Sequence, residues 1–316
     1  MDTPTVYIPT LTGGERLASC LDALGSQTVE STVVVADNGP GDGCAEMLET
    51  RFPLVKRVGF AGSNLGFGTA INRAVMAEGE GPAILLNDDA VPEADFIENL
   101  LAVHGASGAA MVAGILIRRG GGTVIDSAGI VSDRSLTAWD YLTGRPLAAA
   151  EGAPDPLGPT GGAALFDRTA FEQVGGFDER IFLYYEDLDL ALRMRLAGHD
   201  CRLAAGATAT HESSATLGRK SAEKYFQTGF SRGYLLRKYG IMRDPGLAAK
   251  VLVSDALAAG VQAVLDSTTA GAKGRISGWR AGADLEPLDL PLDRLEPVSL
   301  RRHMGARLAR RRHPAR

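Results

Sequence analysis

The sequence has little cysteine, and its 316 residues begin without an obvious export signal. Cys20, Cys44 and Cys201 are an odd number with no metal-binding spacing, which argues against a disulfide framework. The N-terminus enters an alternating apolar run directly, without the basic and hydrophobic regions of a signal peptide. We therefore expect a cytoplasmic protein whose cysteines are structural.

Long uninterrupted hydrophobic runs are also scarce. The longest, at residues 247–265, contains Lys250, Asp255 and Gln262, whereas a membrane-spanning helix is expected to exclude charges near its centre. This run predicts a buried or interfacial amphipathic helix. With 45% hydrophobic and 22% charged residues, the whole chain has the composition of a globular protein rather than a disordered one.

Basic residues are unevenly distributed. Seven of the 33 lysines and arginines are arginines at residues 301–316, and all 38 acidic residues precede this tail. Such a tail would be attracted to the anionic lipids of the inner membrane face, and the alternative is a terminus that only improves solubility. The acidic body would repel phosphate backbones, so no nucleic-acid partner is expected.

Strand-like and helix-like patterns alternate in the first half of the chain. Apolar or β-branched runs predict strands at residues 6–8, 33–35, 55–60 and 84–86. Apolar residues at helical spacing predict helices around Leu17, Leu21 and Leu24 and around Ala70, Ile71, Ala74 and Val75. This alternation predicts an α/β fold with a mostly parallel central sheet flanked by helices. Ligands bind such sheets at the carboxyl ends of the strands.

Polar residues follow the predicted strands. The first two loops lack the glycine spacing of dinucleotide-binding folds and the lysine of a P-loop. Asp37 ends the second strand, where an acid can accept hydrogen bonds from a base or a ribose, although Asp-Asn-Gly is also an ordinary turn. Glycines in the third loop, at residues 62–68, allow close backbone approach to a ligand or simply precede a helix.

Two clusters of oxygen ligands stand out. Asn87, Asp88 and Asp89 follow the most hydrophobic strand, where such side chains suit Mg²⁺ or Mn²⁺ or serve only the loop. The second cluster, at residues 186–189, follows an aromatic segment. Crowded carboxylates beside apolar surface have shifted pKa values, which favours a general base or a cation site.

Taken in order, these motifs resemble glycosyltransferase family 2, particularly its bacterial rhamnosyltransferase-like branch. The motifs are Ile8-Pro9-Thr10, Gln27-Thr28, Ala36-Asp37-Asn38-Gly39, Asn64-Leu65-Gly66-Phe67, Leu86-Asn87-Asp88-Asp89, Gly161-Gly162-Ala163 and the segment 175–198. The resemblance covers about residues 4–215 and implies the GT-A fold. It also implies an enzyme that moves a sugar from a nucleotide diphosphate.

The resemblance implies a role for each site residue. The nucleotide pocket would include Pro9, Thr10, Asp37, Asn64, Gly66, Phe67, Asn72, Asn87 and Asp88. The divalent cation, Mg²⁺ or Mn²⁺, would be held by Asp89 and His211. Asn87 replaces the usual first aspartate of the metal motif, which removes one negative charge and weakens the expected metal affinity.

The acid pair Glu186-Asp187 would lie at the start of a helix that ends near Gly198. By resemblance Asp187 is the catalytic base, with Glu186 as the alternative, and Asp189 is a helix-face or structural acid. His211 would complete the metal site or, when protonated, neutralise the leaving diphosphate. The residues expected to contact the donor sugar or the acceptor are Gly161, Gly162, Tyr184 and Tyr185. The tyrosines could instead serve only packing.

We expect a catalytic domain at residues 1–220, C-terminal helices at 221–283 packed on that domain or on a membrane, and a connector with the arginine tail at 284–316. The predicted reaction is inverting transfer to a glycan or polyprenyl-linked hydroxyl in cell-surface polysaccharide synthesis. The donor would be dTDP- or UDP-linked, with dTDP-rhamnose the leading candidate. The alternatives are a sugar-nucleotide pyrophosphorylase and a catalytically silent nucleotide-sugar-binding protein.

Overall fold

In the computed structural model of the chain, the apolar runs form strands and the amphipathic segments between them form helices. The structure describes residues 2–40, 43–120, 122–211 and 221–296. The strands are β1 (Thr5–Thr10), β2 (Thr32–Asp37), β3 (Lys56–Gly59), β4 (Ala83–Leu86), β5 (Ala90–Pro92), β6 (Met111–Arg118), β7 (Ile125–Ser127), β8 (Ile130–Ser132), β9 (Ala138–Asp140), β10 (Ala163–Phe166) and β11 (Cys201–His211). The helices are α1 (Gly14–Leu24), α2 (Cys44–Arg51), α3 (Phe67–Ala77), α4 (Phe96–Ser107), α5 (Arg168–Gln173), α6 (Glu186–Leu196), α7 (Ala222–Lys238), α8 (Pro245–Leu265) and α9 (Ala270–Ala281).

The main sheet has the order β3-β2-β1-β4-β10-β6-β11-β5, with β7 beside β6, and β8 pairs with β9 in a separate ribbon. The first four strands are parallel, as the alternation of strands and helices predicts. β10 lies antiparallel between β4 and β6. The chain enters β10 from the strands β7 to β9 without an intervening α-helix. This is possible because an antiparallel strand, unlike a parallel one, needs no crossover helix. The α/β fold class is confirmed, with a sheet that is mixed.

Helices cover the sheet as the apolar spacing predicts. Leu17, Leu21 and Leu24 of α1 are buried in the same core cluster as Val6 and Ile8 of β1. The side chain between them, Tyr7, points to the other face of the pleat, where its hydroxyl donates to the carbonyl of Glu78 at the end of α3. The apolar stripe of α3 is fully buried. Each face of the parallel half of the sheet therefore has its own helical cover.

Strand register brings the predicted site residues to one edge. Thr10 and Asp37 are direct neighbours at the carboxyl ends of β1 and β2. β4 runs parallel to β1, so the loop that follows Leu86 emerges at the same edge. At the far side of the sheet, His211 ends β11 opposite Ala90, the residue after Asp89. Residues more than a hundred positions apart thus become neighbours.

The chain divides into two compact units. The first contains residues 2–130 and 140–211 of the described chain, with the whole main sheet. The second contains residues 131–139 and 221–296, with helices α7, α8 and α9. Within the second unit, Leu288 donates to the carbonyl of Lys238, and Glu296 donates to that of Ser132. The predicted domain limits stay a prediction, and the arginine tail lies outside the described residues.

Glycines set the packing of α7 against α9. Gly233 of α7 faces the carbonyl of Arg275, and Gly278 of α9 faces the carbonyl of Phe230. At both positions a Cβ atom would overlap these backbone atoms, so the two helix backbones lie in direct contact. Small residues that allow such close approach are typical of helix pairs in membranes, although soluble helices also use them.

α8 begins as the sequence predicts, with Asp244 accepting a hydrogen bond from the backbone N–H of Leu247 at 2.9 Å. Within the described part of the chain it is the one helix long and apolar enough to cross a membrane, judged by length and composition only. An 18-residue window has a mean hydropathy of 1.5, and 17% of that window is buried. The low burial contradicts the buried alternative for this run and leaves the interfacial one as a prediction.

Replacing Gly278 by alanine should lower the free energy of unfolding of the second unit by about 1–3 kcal/mol, because the new methyl group overpacks the contact with Phe230. Gly260→Ala on α8 is a matched control, since its Cβ would enter open space. Better helix propensity should make that control more stable by up to about 1 kcal/mol. Denaturant unfolding followed by circular dichroism measures both, and equal stability of the two variants would contradict the glycine contact.

Candidate active site

Thr10 connects the ends of β1 and β4. Its hydroxyl donates to Asp88 Oδ2 at 2.6 Å and accepts from the backbone N–H of Gly13 at 3.0 Å. Burial raises the pKa of Asp88, and the charge of Asp89 adds to this, while the hydrogen bond from Thr10 lowers it. Asp88 therefore lies beside Thr10, another residue of the predicted nucleotide pocket. Pro9, also predicted there, lies beside Ala36 of β2.

Asp37 is paired with a cation that is not among the residues predicted from the sequence. Arg57 of β3 donates to Asp37 Oδ2 through Nε at 2.9 Å and lies 2.7 Å away through Nη2. Asp37 is only 3% exposed, so this pairing balances a buried charge. The parallel register of β2 and β3 brings the two residues together, and no local motif around Arg57 indicated it. The predicted base contact therefore lies beside a fixed positive charge.

Asn38 is a second residue that the predicted site did not include. Its side-chain amide donates to Asn64 Oδ1 and to the carbonyl of Gly66, both at 3.1 Å. Its Oδ1 accepts from the backbone N–H of Leu65 at 2.7 Å. Asn64 in turn accepts from the N–H of Gly66. The Asp-Asn-Gly turn therefore holds the glycine loop in place, and the asparagine following the acid was the available signal.

Asn72 faces protein rather than an open pocket. Its side chain donates to the carbonyl of Phe177 at 2.8 Å and accepts from the same residue's N–H at 2.9 Å. Phe177 packs edge-to-face on Phe67, with ring centroids 5.8 Å apart. Asn72 therefore fixes the aromatic segment that leads to the acid pair. Its predicted contact with nucleotide stays a prediction.

The glycine pair joins two loops of the site. The backbone N–H of Asn87 donates to the carbonyl of Gly162 at 3.2 Å. A Cβ at Gly162 would lie 2.8 Å from Asn87 Nδ2, and one at Gly161 would lie 2.8 Å from the ring of Phe67. Any larger residue would push these groups apart. Glycine is needed here because the loops approach closely.

The acid pair begins α6 after two strained residues. Tyr184 and Tyr185 have φ values of 67° and 68°, a left-handed conformation that is unusual for bulky residues. Such strain persists only where surrounding structure enforces it, and it is concentrated at functional sites. Glu186 is 8% exposed, and its Oε2 has no hydrogen-bond partner among the described residues. Asp187 is half-buried and accepts from the N–H of Leu188 at 2.8 Å.

Both acids of the pair are harder to ionise than ordinary carboxyl groups. Burial raises the pKa of Glu186, and the charge of Asp187 raises it further. Burial also raises the pKa of Asp187, while the N–H of Leu188 opposes that shift. Asp140 raises it again. A carboxylate in this state is a better proton acceptor than one in water.

Asp189 has the structural role that its position in the cluster predicted. It is fully buried and accepts from Arg193 Nε at 2.7 Å, one turn later on α6. Arg193 also donates to the carbonyls of Val174 and Gly176. This ion pair therefore anchors α6 to the turn that precedes the aromatic segment.

His211 lies between two carboxylates. Its Nε2 is 3.2 Å from Asp89 Oδ1, and its Nδ1 is 2.9 Å from Asp126 Oδ2. Burial alone would lower the pKa of His211, but the hydrogen bond to Asp126 and the contact with Asp89 raise it to about 9. Arg118 pairs with Asp126 at 3.0 Å and fixes it in turn. No sequence motif indicated Asp126, because it approaches His211 through the pairing of β7 with β6 and of β6 with β11.

Asp89 and His211 offer the oxygen and nitrogen ligands that Mn²⁺ accepts. His211 Nε2 is buried and faces Asp89 Oδ1 at 3.2 Å, without a hydrogen bond of good geometry in the described chain. Groups of three or more His, Cys, Asp or Glu side chains that could hold a metal do not occur in the described residues. These two residues therefore fit a cation whose other ligands are phosphate oxygens and water.

The comparison with protein families decides the class of enzyme. The family model "Glycosyl transferase family 2" matches residues 5–175, more than half of the chain. The chain belongs to glycosyltransferase family 2. This glycosyltransferase is 32% identical over 245 residues to the N-acetylglucosaminyl-diphospho-decaprenol L-rhamnosyltransferase of Mycobacterium tuberculosis, which covers 70% of this chain and 80% of that protein. The prediction of a rhamnosyltransferase-like member of this family is confirmed. Neither comparison supports the alternative of a sugar-nucleotide pyrophosphorylase.

Solved glycosyltransferases share the fold. GalNAc-T7 with UDP, GalNAc and Mn²⁺ aligns with a TM-score of 0.59 at 13% identity over 76% of this chain, which spans about half of that protein (48%). The mannosyltransferase PcManGT of Pyrobaculum calidifontis, in complex with GDP-Man and Mn²⁺, aligns with a TM-score of 0.54 at 16% identity. That alignment covers 98% of this chain and 80% of the mannosyltransferase. At such identities the likeness establishes the GT-A fold alone.

Replacing Asp126 by asparagine should lower the pKa of His211 from about 9, because the imidazolium loses a negative partner. An NMR titration of the histidine ring signals measures the shift. Asp22→Asn, at an exposed acid on α1, is the control and should leave the His211 titration unchanged. An unchanged His211 pKa in Asp126→Asn would contradict the pairing.

Proposed function

We propose that this glycosyltransferase transfers rhamnose from dTDP-rhamnose to a hydroxyl of a polyprenyl-linked or glycan acceptor, with inversion at the anomeric carbon. The observation that carries the proposal is the buried acid pair at the start of α6. Asp187 is half-buried and raised in pKa, whereas Glu186 lies deeper. A base must reach the acceptor, so Asp187 is the better candidate of the two.

The nucleotide would bind at the carboxyl edge of the parallel strands. Asp37 would accept a hydrogen bond from the thymine or uracil base, with Arg57 orienting its carboxylate. Thr10 and Asp88 form the neighbouring wall. The glycine loop held by Asn38 would approach the nucleotide with its backbone. These contacts support the proposed pocket, and the donor's sugar would lie toward Gly161 and Gly162.

The proposed reaction is one displacement. Asp187 takes the proton of the acceptor hydroxyl as that oxygen forms a bond to the anomeric carbon. The bond from this carbon to the diphosphate oxygen breaks, and the nucleoside diphosphate leaves with the electron pair. Tyr184 and Tyr185 would pack on the sugar rings, and their left-handed backbone holds them beside the acid pair. No covalent enzyme intermediate is required.

Asp89 and His211 would hold the divalent cation, which when bound neutralises the charge that develops on the leaving diphosphate. Asp126 would keep Nδ1 of the imidazole occupied so that Nε2 faces the site. Asn87 would contribute an amide oxygen to a ribose or to a bound water. With one acid fewer than the usual motif, the expected metal affinity is weak.

The proposed donor and acceptor rest on the mycobacterial relative, whose name gives rhamnose transfer to a decaprenyl-linked N-acetylglucosaminyl diphosphate. An equivalent reaction here would serve cell-surface polysaccharide synthesis. Cytoplasmic placement is part of the proposal, and the three buried free cysteines support a reducing compartment. The arginine tail at residues 301–316 would add peripheral contact with the inner membrane face.

Asp187→Asn should reduce release of nucleoside diphosphate by at least about a hundredfold, since general-base catalysis contributes about 10²- to 10⁴-fold. Glu179→Gln, at an exposed acid paired with Arg73, is the matched control and should keep full turnover. In the wild type, turnover should fall as pH decreases, with a midpoint well above pH 4, because the raised pKa of Asp187 protonates the base early.

Glu186→Gln separates the two acids. If Glu186→Gln abolishes turnover while Asp187→Asn retains it, Glu186 is the base and our assignment within the pair is wrong. If neither substitution changes turnover, the site itself is wrong. Equal, background-level product release from wild type and Asp187→Asn would instead favour the catalytically silent alternative.

Donor and cation binding can be measured without turnover. A thermal-shift screen of nucleotide sugars should give the largest rise in melting temperature with dTDP-rhamnose, because a ligand that binds only the folded state stabilises it. Mn²⁺ should enlarge that rise in the wild type but not in Asp89→Asn. An unaltered Mn²⁺ effect in Asp89→Asn would contradict the proposed metal ligand, and a larger shift with a UDP-sugar would change the proposed donor.

A further inference from the structure

One side of α8 is apolar and turned away from its own unit. From residue 252 to 265, its exposed positions carry only alanine, glycine, valine and leucine. We call six large side chains among them the α8 apolar face: Leu252, Val253, Leu257, Val261, Val264 and Leu265. Leu252, Leu257 and Val264 are 60%, 52% and 79% exposed. A contiguous apolar surface of this kind marks an interaction site.

Polar contacts fix this orientation from the opposite side of the helix. Asp255 is paired with Arg232 of α7 at 2.8 Å and with Arg275 of α9 at 3.2 Å. Val251 and Ala258, on the same side as Asp255, are buried. Turning the apolar face inward would break both ion pairs and leave partly buried charges unpaired. The outward orientation is therefore built into the unit.

The exposed charges on α8 and α9 have one sign. The exposed charged residues of α8 and α9 are Lys250, Lys273 and Arg280, which are all cations. Asp255 is held in its ion pairs, and Asp266, which follows α8, accepts a hydrogen bond from Tyr225. A partner that binds this surface must therefore offer apolar groups to the α8 apolar face and anionic groups to the cations.

We propose that the α8 apolar face docks on an anionic lipid bilayer, with the helix lying in the plane of the interface. Valine and leucine side chains would enter the acyl boundary, while the flanking cations contact lipid phosphates. The role of this docking rests on the proposed lipid-linked acceptor. Docking would bring the enzyme to the membrane in which that acceptor is embedded. It is a second attachment, separate from the arginine tail.

Lying in the interface fits the contacts better than crossing the bilayer. A spanning helix would place Asp255, with its partners Arg232 and Arg275, inside the hydrocarbon core. A second copy of the chain fits less well, because face-to-face helices would bring the exposed cations of α8 and α9 in both copies together. A bilayer with anionic headgroups matches both the α8 apolar face and these cations.

Flotation of the full chain with vesicles tests the docking. The probes are vesicles of phosphatidylcholine alone and of phosphatidylcholine mixed with phosphatidylglycerol. The double variant Leu257→Glu and Val264→Glu should reduce binding to the mixed vesicles at least tenfold. Leu54→Glu combined with Met76→Glu is the matched control, because these side chains are equally apolar and 95% and 78% exposed in the first unit. The control should bind as the wild type does.

Further arms identify the occupant. Lys250→Ala and Lys273→Ala should each weaken binding to the mixed vesicles about fivefold and leave binding to neutral vesicles unchanged. If only deletion of residues 301–316 abolishes flotation while the α8 double variant floats normally, the proposal is overturned. Resistance to extraction at alkaline pH would overturn it in favour of a spanning helix. A dimer in solution that the α8 double variant dissociates would overturn it in favour of a second copy.

The test separates docking from catalysis. The α8 double variant should show the wild-type thermal shift with dTDP-rhamnose and wild-type transfer to a short-chain, water-soluble acceptor. Failure of the wild type in those two assays, with intact flotation, would remove the proposed function and leave the docking. If the wild type transfers rhamnose normally and the α8 double variant floats as the wild type does, the docking is wrong and the proposed function stands.

Discussion

Parallel pairing of β1 with β2 and β4 places the ends of all three strands on one edge of the sheet, and the candidate site depends on that edge. Thr10 and Asp37 are neighbours by register, and the Asn87-Asp88-Asp89 loop emerges beside them. The antiparallel strand β10 then brings its preceding glycine pair against Asn87. Thr10 and Asp37 are therefore positioned by a backbone ladder, which holds them more rigidly than a loop alone would.

The same edge concentrates negative charge, and the structure compensates it pairwise. Arg57 balances Asp37, and His211 lies between Asp89 and Asp126. At Glu186 and Asp187 the charge is not balanced in this way, so burial raises both pKa values. Compensated acids suit binding and cation placement, whereas an uncompensated acid suits proton transfer. Local electrostatics thus divides carboxylates of similar chemistry into two roles.

The second unit follows a different packing logic. Its helices meet through glycine backbones, its ion pairs face inward around Asp255, and one apolar face is directed outward. Soluble domains bury apolar faces and expose charges, because water solvates charges and excludes hydrocarbon. A helix with the opposite arrangement is suited to an environment in which one side of it meets lipid.

The sequence alone predicted the first four strands and several of the helices, because apolar period and turn residues are local properties. Its motifs, taken in order, indicated the class of enzyme through their resemblance to a known family. The resemblance assigned Asp187, Asp89 and His211 to the site, and those roles stay predictions. Only the tertiary structure revealed the partners of Arg57, Asn38 and Asp126, since these partners lie at distant positions of the chain. It also decided which side of α8 faces outward, because two ion pairs from other helices fix that rotation and apolar composition does not.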